Sequence, residues 1–272
     1  MDWSATPSSP LDVGGVRLEY SCHGPHPGTG PTLVLLHEGL GCVTLWRDVP
    51  TRLSQRTGLG VFAYSRQGYG QSDPVSLPRP LDYLTQEAVS VLGPVIDAAG
   101  LGDVILVGHS DGGTIAAEYA GSVSDRRVRG LILIAPHFFA EPQGVAAIRA
   151  AGAKFGSGDL RDRLARHHKD ADRVFWGWHD AWTNPAFADW DVTDAIDHWR
   201  VPVLAIQGAE DVYGSLAQID EIEARIYAPL ETKIIEGCGH APHVDCPEAT
   251  LDTITEFCAR LLRLEQDHVA LA

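Results

Sequence analysis

Residues 104–120 read VILVGHSDGGTIAAEYA, and this stretch decides the fold that the rest of the chain is expected to build. Apolar residues lead into Gly108-His109-Ser110-Asp111-Gly112, which has the spacing G-x-S-x-G, and a helix-forming segment follows. A serine on such a strand-to-helix turn is held in a strained backbone conformation, and the flanking glycines let neighbouring chains approach without Cβ clashes. The stretch therefore predicts a nucleophile elbow with Ser110 as the attacking group.

Short apolar runs like residues 104–107 recur along the chain between turn-forming segments. Buried strands are expected at residues 32–36, 61–64, 104–107, 131–135, 203–206 and 233–235, with an edge strand at 16–22. Helical spacing of apolar residues occurs at 81–99, 114–120 and 247–264, and Gly93-Pro94 is expected to kink the first of these helices. Alternating strands and helices predict an α/β fold, with a mostly parallel central sheet flanked by helices.

One long segment interrupts this alternation. Residues 137–200 contain no buried-strand pattern, and an insertion of this length without strands is typical of a helical cap rather than a loop. The predicted organisation is a core formed by residues 1–136 and 201–272, with a cap formed by residues 137–200.

A general base must lie within hydrogen-bond reach of Ser110, because a serine hydroxyl is a poor nucleophile at neutral pH. Histidine suits this role, since its pKa lies near the operating pH. The loop GCGHAPH, residues 237–243, precedes the C-terminal helix and offers two candidates. His240 is the predicted base, and His243 is expected to be a structural neighbour.

The acid that orients the base is sought in a loop that follows a strand. Strand 203–206 leads into QGAED, residues 207–211, which offers Glu210 and Asp211. Asp211 satisfies the chain order serine, aspartate, histidine and is the predicted orienting carboxylate, whereas Glu210 is expected to be solvated.

An oxyanion hole requires two backbone N–H donors. One is expected from Asp111, the residue after the nucleophile, and the other from the loop HEGLG, residues 37–41. Gly39 is the predicted second donor, and its neighbour Leu40 stays open as an alternative.

Four blocks together carry a resemblance to the α/β-hydrolase superfamily across about residues 16–264. They are HEGLG, SRQGYGQSD at residues 65–73, GHSDGG at residues 108–113, and the paired acid and base loops. The second block is similar to the family turn D-x-R-G-x-G-x-S, with Ser65 in place of the usual aspartate. The resemblance implies an esterase-like serine hydrolase with a Ser110–Asp211–His240 triad, and it implies neither a metal nor an organic cofactor.

The expected reaction is hydrolysis of a small, fairly apolar carboxylic ester or lactone through an acyl-enzyme on Ser110. The fold alone does not settle the reaction, because hydrolases of C–C, amide and thioester bonds use similar triads. A non-catalytic ligand-binding protein built on the same fold is a further alternative.

Two positions depart from the family pattern. Glu38 stands where glycine is common, and its carboxylate is expected either to line the pocket and disfavour anionic substrates or to pair with Arg66 or Arg47. Asp111 follows the nucleophile where an apolar residue is common, and it is a candidate for orienting a cationic or hydroxylated acyl group.

Aromatic residues are dense in the predicted cap. Trp178 and Trp182 lie four residues apart and so share a helical face, and they are the first candidates for substrate contact. Phe138, just after a strand end, is expected to form pocket wall together with Glu38 and Leu40. The histidines of this segment (His167, His168 and His179) lack metal-ligand spacing and are expected to be solvated, so no metal site is predicted.

Composition bounds the remaining possibilities. The chain has 272 residues with 21 basic and 36 acidic side chains, a net charge of −15, which disfavours nucleic-acid and membrane-surface partners. Five cysteines without CxxC spacing favour reduced thiols in a cytoplasmic protein, and residues 1–10 do not have the pattern of a secretory signal. The expected partner is a small-molecule substrate, and a homodimer is a further possibility.

Overall fold

A mixed seven-stranded sheet forms the centre of the computed structural model, which describes the backbone of residues 1–270 and the side chains of residues 1–263. The strand order is β3-β5-β4-β6-β7-β8-β9, and all neighbouring pairs are parallel except β3 with β5. The strands are β1 (Leu11–Val13), β2 (Val16–Leu18), β3 (Tyr20–His23), β4 (Thr32–Leu36), β5 (Gly60–Tyr64), β6 (Val104–His109), β7 (Val128–Ile134), β8 (Val203–Gly208) and β9 (Leu230–Ile235).

Helices cover both faces of this sheet. The α-helices of the described residues are α1 (Val49–Thr57), α2 (Tyr83–Gln86), α3 (Gly93–Ala98), α4 (Asp111–Ser122), α5 (Pro142–Ser157), α6 (Leu160–Ala165), α7 (Ala171–Trp182), α8 (Ala217–Arg225), α9 (Pro242–Asp245) and α10 (Pro247–Ala270). Every residue of β4, β5, β6 and β8 is buried, as expected of strands with helices on both sides. The predicted α/β architecture is confirmed.

Two local expectations need correction. The edge strand expected at residues 16–22 divides into β2, which pairs with β1 in a separate two-stranded sheet, and β3, which lies at the edge of the main sheet. The helix expected at 81–99 contains a π-helical turn, Glu87–Leu92, directly before Gly93 and Pro94. A π turn shifts the hydrogen-bond ladder by one residue, and Pro94 has no N–H to contribute to that ladder.

The region between β7 and β8 is helical in the structure. It contains α5, α6 and α7 and two 3-10 turns, Pro185–Phe187 and Thr193–His198. Its helices pack through aromatic rings: Phe155 of α5 stacks on Phe175 of α7 with a centroid separation of 3.9 Å. That residues 137–200 act as a separate cap over the core stays a prediction.

The site loops lie at the end of the main sheet where the parallel strands have their carboxyl ends. Gly39, Ser110, Asp211 and His240 follow the carboxyl ends of β4, β6, β8 and β9. Parallel strands bring their carboxyl ends to the same edge, so side chains far apart in the chain meet there. Within residues 1–270, no helix combines the length and the apolar character that a membrane crossing requires.

Candidate active site

Ser110 occupies the turn between β6 and α4 in a conformation that few non-glycine residues adopt. Its φ is 53° and its ψ −120°, and its N–H donates to the carbonyl of Ile134 over 2.9 Å. A Cβ at Gly108 would collide with the backbone of Gly112, and a Cβ at Gly112 would collide with the carbonyl of Leu36. Both glycines are therefore required for the turn to close against the sheet.

His240 reaches Ser110 from the loop that follows β9. Its Nε2 lies 2.9 Å from the hydroxyl oxygen of Ser110, and its Nδ1 lies 2.7 Å from Oδ2 of Asp211. With the imidazole proton on Nδ1 and donated to Asp211, Nε2 accepts from the serine hydroxyl. The structure thus brings the three predicted triad side chains into one continuous hydrogen-bonded chain.

Asp211 is held by several donors besides His240. Its Oδ1 accepts the N–H of Tyr213 over 2.8 Å, and its Oδ2 accepts the side-chain amide of Gln207 over 2.8 Å. Burial by itself would raise the pKa of this carboxyl, but the hydrogen bond and charge of His240 outweigh burial and lower the pKa below its usual value. Asp211 is therefore a carboxylate at neutral pH.

A cavity of about 420 Å³ opens onto Ser110 and His240. Its lining includes Gly39 and Asp111, the two residues predicted to supply oxyanion donors. Asp111 is the first residue of α4, so its amide lies at the helix N-terminus, where the aligned peptide dipoles favour negative charge. Gly39 and Asp111 therefore border the space next to Ser110.

A family model described as the alpha/beta hydrolase family matches residues 33–253. The chain belongs to the alpha/beta hydrolase family. The similar proteins include enzymes, and the chain is a hydrolase. The fold class expected from the sequence, an α/β-hydrolase fold, is confirmed.

Relatives of this hydrolase carry different activities. Polyketide synthase ThaQ of Burkholderia thailandensis is 28% identical to this chain. The matched region covers 92% of this chain but only 12% of the length of the synthase. A non-heme chloroperoxidase of Streptomyces lividans is 25% identical, with 89% of this chain and 96% of the relative covered. The crystal structure of the enol-lactonase from Burkholderia xenovorans has a TM-score of 0.68 and 20% identity, with 91% of this chain and 98% of the lactonase chain covered.

The hydrolase cavity contains most of the pocket residues predicted from the sequence. Glu38, Leu40, Trp178 and Trp182 line it. Phe138 was expected there, and this expectation is wrong: its side chain is completely buried and packs 5.9 Å, centroid to centroid, from the ring of Trp199. The direction in which a side chain leaves a strand end depends on the packing of the loop behind it, which the sequence pattern does not specify.

Glu38 faces the cavity and pairs with a residue that was not foreseen. Its side chain is 29% exposed, and Oε2 lies 3.5 Å from Nδ1 of His109 rather than at Arg66 or Arg47. Burial would raise the pKa of Glu38, but the interaction with His109 outweighs burial and lowers it. The hydrolase therefore presents an ionised carboxylate on the cavity wall.

His109 and Tyr213 are site residues that the sequence reasoning missed. The Nε2–H of His109 donates to the carbonyl of His240 over 2.7 Å, and the ring of Tyr213 lies 4.9 Å from that of His240, centroid to centroid. The signal in the sequence that could have indicated them is their closeness to predicted site residues. His109 directly precedes the candidate nucleophile, and Tyr213 follows the candidate acid by two residues.

Two further expectations are corrected by the hydrolase structure. The Asp111 side chain does not face the cavity as a substrate ligand: it is 1% exposed, and Oδ2 accepts the hydroxyl of Tyr83 over 2.6 Å. His168 is buried rather than solvated, since its Nδ1 accepts the N–H of Gly70 over 2.8 Å and its Nε2 lies 3.0 Å from the carbonyl of Leu40. Among the residues described, no group of three His, Cys, Asp or Glu side chains is arranged to hold a metal ion.

Proposed function

We propose that this hydrolase cleaves a small, fairly apolar carboxylic ester or lactone through an acyl-enzyme on Ser110. The observation that carries the proposal is the chain of hydrogen bonds from Ser110 through His240 to Asp211, at the wall of a cavity that also contains Gly39 and Asp111. A positioned base, an orienting carboxylate and two amide donors are the parts that acyl transfer to serine requires.

Acylation begins when His240 accepts the proton of the Ser110 hydroxyl while the oxygen attacks the ester carbonyl. The carbonyl electron pair moves onto oxygen, where the amides of Gly39 and Asp111 stabilise the charge. Collapse of this intermediate breaks the bond to the leaving oxygen, which takes the proton from His240. The alcohol departs, or stays attached to the acyl group when the substrate is a lactone.

Deacylation repeats these steps with water. His240 accepts a proton from water as the water oxygen attacks the acyl carbonyl, and the second intermediate expels the serine oxygen. Ser110 recovers its proton from His240, and the carboxylic acid leaves. Asp211 stays ionised throughout and stabilises the imidazolium that forms twice in the cycle.

The apolar part of the cavity lining supports a small, fairly apolar substrate. Its apolar wall comes from both the core and the predicted cap: Leu40, Val145, Ile148, Trp178 and Trp182. A volume of about 420 Å³ lies within the range of small-molecule sites. The ionised carboxylate of Glu38 on the same wall disfavours an anionic acyl chain.

The similar proteins are consistent with this reaction class without determining it. The enol-lactonase shares the fold at 20% identity, and the named relatives include a chloroperoxidase. Because one fold supports many reactions, the substrate class rests on the geometry of the site rather than on these names.

The test of Ser110 is labelling by a fluorophosphonate probe, which reacts with activated serines. We expect the wild type to be labelled and Ser110→Ala to be unlabelled. Ser54→Ala is the matched control, because Ser54 and Ser110 are both 6% exposed and Ser54 donates to the carbonyl of Leu59 away from the cavity. An unlabelled wild type would overturn the proposal that Ser110 is an activated nucleophile.

The substrate class is tested separately with p-nitrophenyl esters of increasing acyl length, simple lactones, thioesters and amides. We expect kcat/KM to be highest for short neutral esters or lactones. A labelled enzyme that hydrolyses only amides or thioesters would contradict the substrate proposal while leaving the nucleophile intact.

A further inference from the structure

Arg66 lies behind the predicted oxyanion hole with no solvent exposure. It belongs to the turn that follows β5, and its guanidinium packs over the ring of Tyr69, with a distance of 4.7 Å from Cζ to the ring centroid. Its backbone N–H donates to Nε2 of His37 over 3.0 Å, and its Nη2 donates to the carbonyl of Glu38 over 3.0 Å. A completely buried arginine is costly unless its contacts are specific, so these contacts need an explanation.

The carbonyl of Glu38 is the focus of these contacts. Because His37 Nε2 accepts from Arg66, the neutral ring carries its proton on Nδ1, which donates to the same carbonyl over 2.7 Å. The N–H of Gly41 donates to it as well, over 3.1 Å. Three donors, one of them charged, therefore hold a single backbone oxygen.

This carbonyl belongs to the peptide unit that carries the N–H of Gly39. In a trans peptide the C=O and N–H point in opposite directions across a rigid plane. Fixing the carbonyl of Glu38 on the side of Arg66 and His37 consequently directs the Gly39 N–H away from them. The positive charge of the Arg66 guanidinium beside the carbonyl oxygen also polarises the peptide and strengthens its N–H as a donor.

The other amide donor is connected to the same arginine through its side chain. Oδ2 of Asp111 lies 3.7 Å from Nη2 of Arg66 and accepts the hydroxyl of Tyr83 over 2.6 Å. The indole N–H of Trp182, which lines the cavity, donates to the Tyr83 oxygen over 3.0 Å. A buried carboxylate on the residue that must stabilise an oxyanion would oppose that charge, and Arg66 supplies the compensating positive charge.

We propose that Arg66 and Tyr83 are positioning residues that keep the backbone N–H groups of Gly39 and Asp111 aligned toward the oxyanion. Arg66 fixes the plane of the first peptide and neutralises Asp111, and Tyr83 fixes the Asp111 side chain and links it to Trp182. This inference rests on the proposed acyl transfer at Ser110. Because the oxyanion exists only in the transition state and the tetrahedral intermediates, losing this alignment lowers kcat and leaves KM almost unchanged.

The test compares Tyr83→Phe and Arg66→Lys with the wild type. Tyr83→Phe removes one hydroxyl, and Arg66→Lys keeps the charge but removes the planar guanidinium that spans the Glu38 carbonyl and Asp111. We expect each variant to lose about tenfold or more in kcat with KM within twofold, by analogy with the loss of an oxyanion donor. The affinity for an alkylboronic acid, which forms a tetrahedral anion on serine, should fall in parallel.

Tyr119→Phe is the matched control. Tyr119, toward the C-terminal end of α4 and outside the cavity lining, donates to Oδ2 of Asp125 over the same 2.6 Å and is also buried. We expect its kcat and boronate affinity to stay within twofold of the wild type. The pH profile of kcat/KM should be the same in all variants, because the contacts of His240 and Asp211 are unchanged.

The outcomes separate the two proposals. If the wild type is not labelled by a fluorophosphonate, the proposed function fails, and the positioning role, which rests on it, is overturned as well. If the wild type is labelled and Tyr83→Phe keeps both kcat and boronate affinity, the positioning role is overturned. A loss of kcat that Tyr119→Phe shares also overturns the positioning role, because it would indicate general destabilisation. A change in KM with kcat unchanged overturns it as well, because it would indicate altered substrate binding.

Discussion

Glu38 puts an ionised carboxylate on the wall of the cavity that contains Ser110. The side chain is partly exposed, and the pairing with His109 lowers its pKa, so it stays charged at neutral pH. A charge in this position acts on any substrate that carries a charge of its own near the scissile bond. We expect Glu38 to discriminate between charged and neutral substrates without contributing to the chemical step.

The residue-scale prediction is that Glu38→Gln shifts the preference between anionic and neutral esters. The ratio of kcat/KM for p-nitrophenyl hemisuccinate to that for p-nitrophenyl butyrate should rise about fivefold. This corresponds to the ~1 kcal/mol of repulsion between unit charges about 4 Å apart in a high-dielectric cavity. Taking the ratio cancels any common effect on catalysis that arises through His109.

Glu210→Gln provides the control for this measurement. It removes the same charge from an exposed position beside Asp211 and outside the cavity lining. We expect its ratio to match that of the wild type, especially at 0.15 M ionic strength, where exposed charges are largely screened. Equal ratios in all three proteins would refute a role for Glu38 in charge selection.

At the scale of elements, the close contact between α4 and β4 depends on a glycine, Gly112, at the point where the two elements meet. A Cβ at Gly112 would fall inside contact distance of the Leu36 carbonyl, which is backbone and cannot turn away. Gly156 is also helical, near the end of α5, but it is exposed and a Cβ there meets nothing within 4 Å. The same substitution therefore has opposite consequences in the two helices.

Gly112→Ala should lower the free energy of unfolding by ~1–3 kcal/mol, because α4 must move away from the sheet to make room for the methyl group. Gly156→Ala should raise it by up to ~1 kcal/mol, because alanine loses less backbone entropy in a helix. Urea denaturation midpoints measure both changes. A Gly112→Ala protein as stable as the wild type would show that the elbow does not need this close approach.

At the scale of the whole molecule, buried titratable groups make stability depend on pH. Burial lowers the pKa of His137 and His243 to about 3 and lowers that of His37 well below its usual value. Between pH 6.5 and the folded pKa, these rings bind protons only in the unfolded chain, so falling pH favours unfolding. Burial raises the pKa of Glu118 to about 7 and also raises that of Glu87, and these carboxyls act in the opposite direction.

The histidines outnumber the opposing carboxyls, so the protein should lose stability as pH falls from 6.5 to 5. The expected net slope is about 1.4 kcal/mol per pH unit, the contribution of one proton bound only by the unfolded chain. Urea unfolding at half-unit pH intervals measures this slope. Glu118→Gln removes one opposing group and should steepen it, whereas a stability that is constant or rises toward pH 5 would contradict the prediction.

The fold and the identity of the candidate triad could be read from the chain because each depends on local signals. Buried strands appear as apolar runs, the elbow as glycines at fixed spacing around Ser110, and the acid and base as residues in loops after strands. The parallel arrangement then places all these loops at one sheet edge, whatever the details of packing. The approach of His240 to Ser110 follows from this topology.

Tertiary structure decided which way individual side chains point. Asp111 turns toward Tyr83 and Arg66, 28 and 45 residues earlier in the chain, and Glu38 turns toward His109. Phe138 turns into the core, and His168 connects Gly70 with Leu40. Each choice depends on the desolvation and pairing of groups brought together from distant segments, so only the folded arrangement determines it.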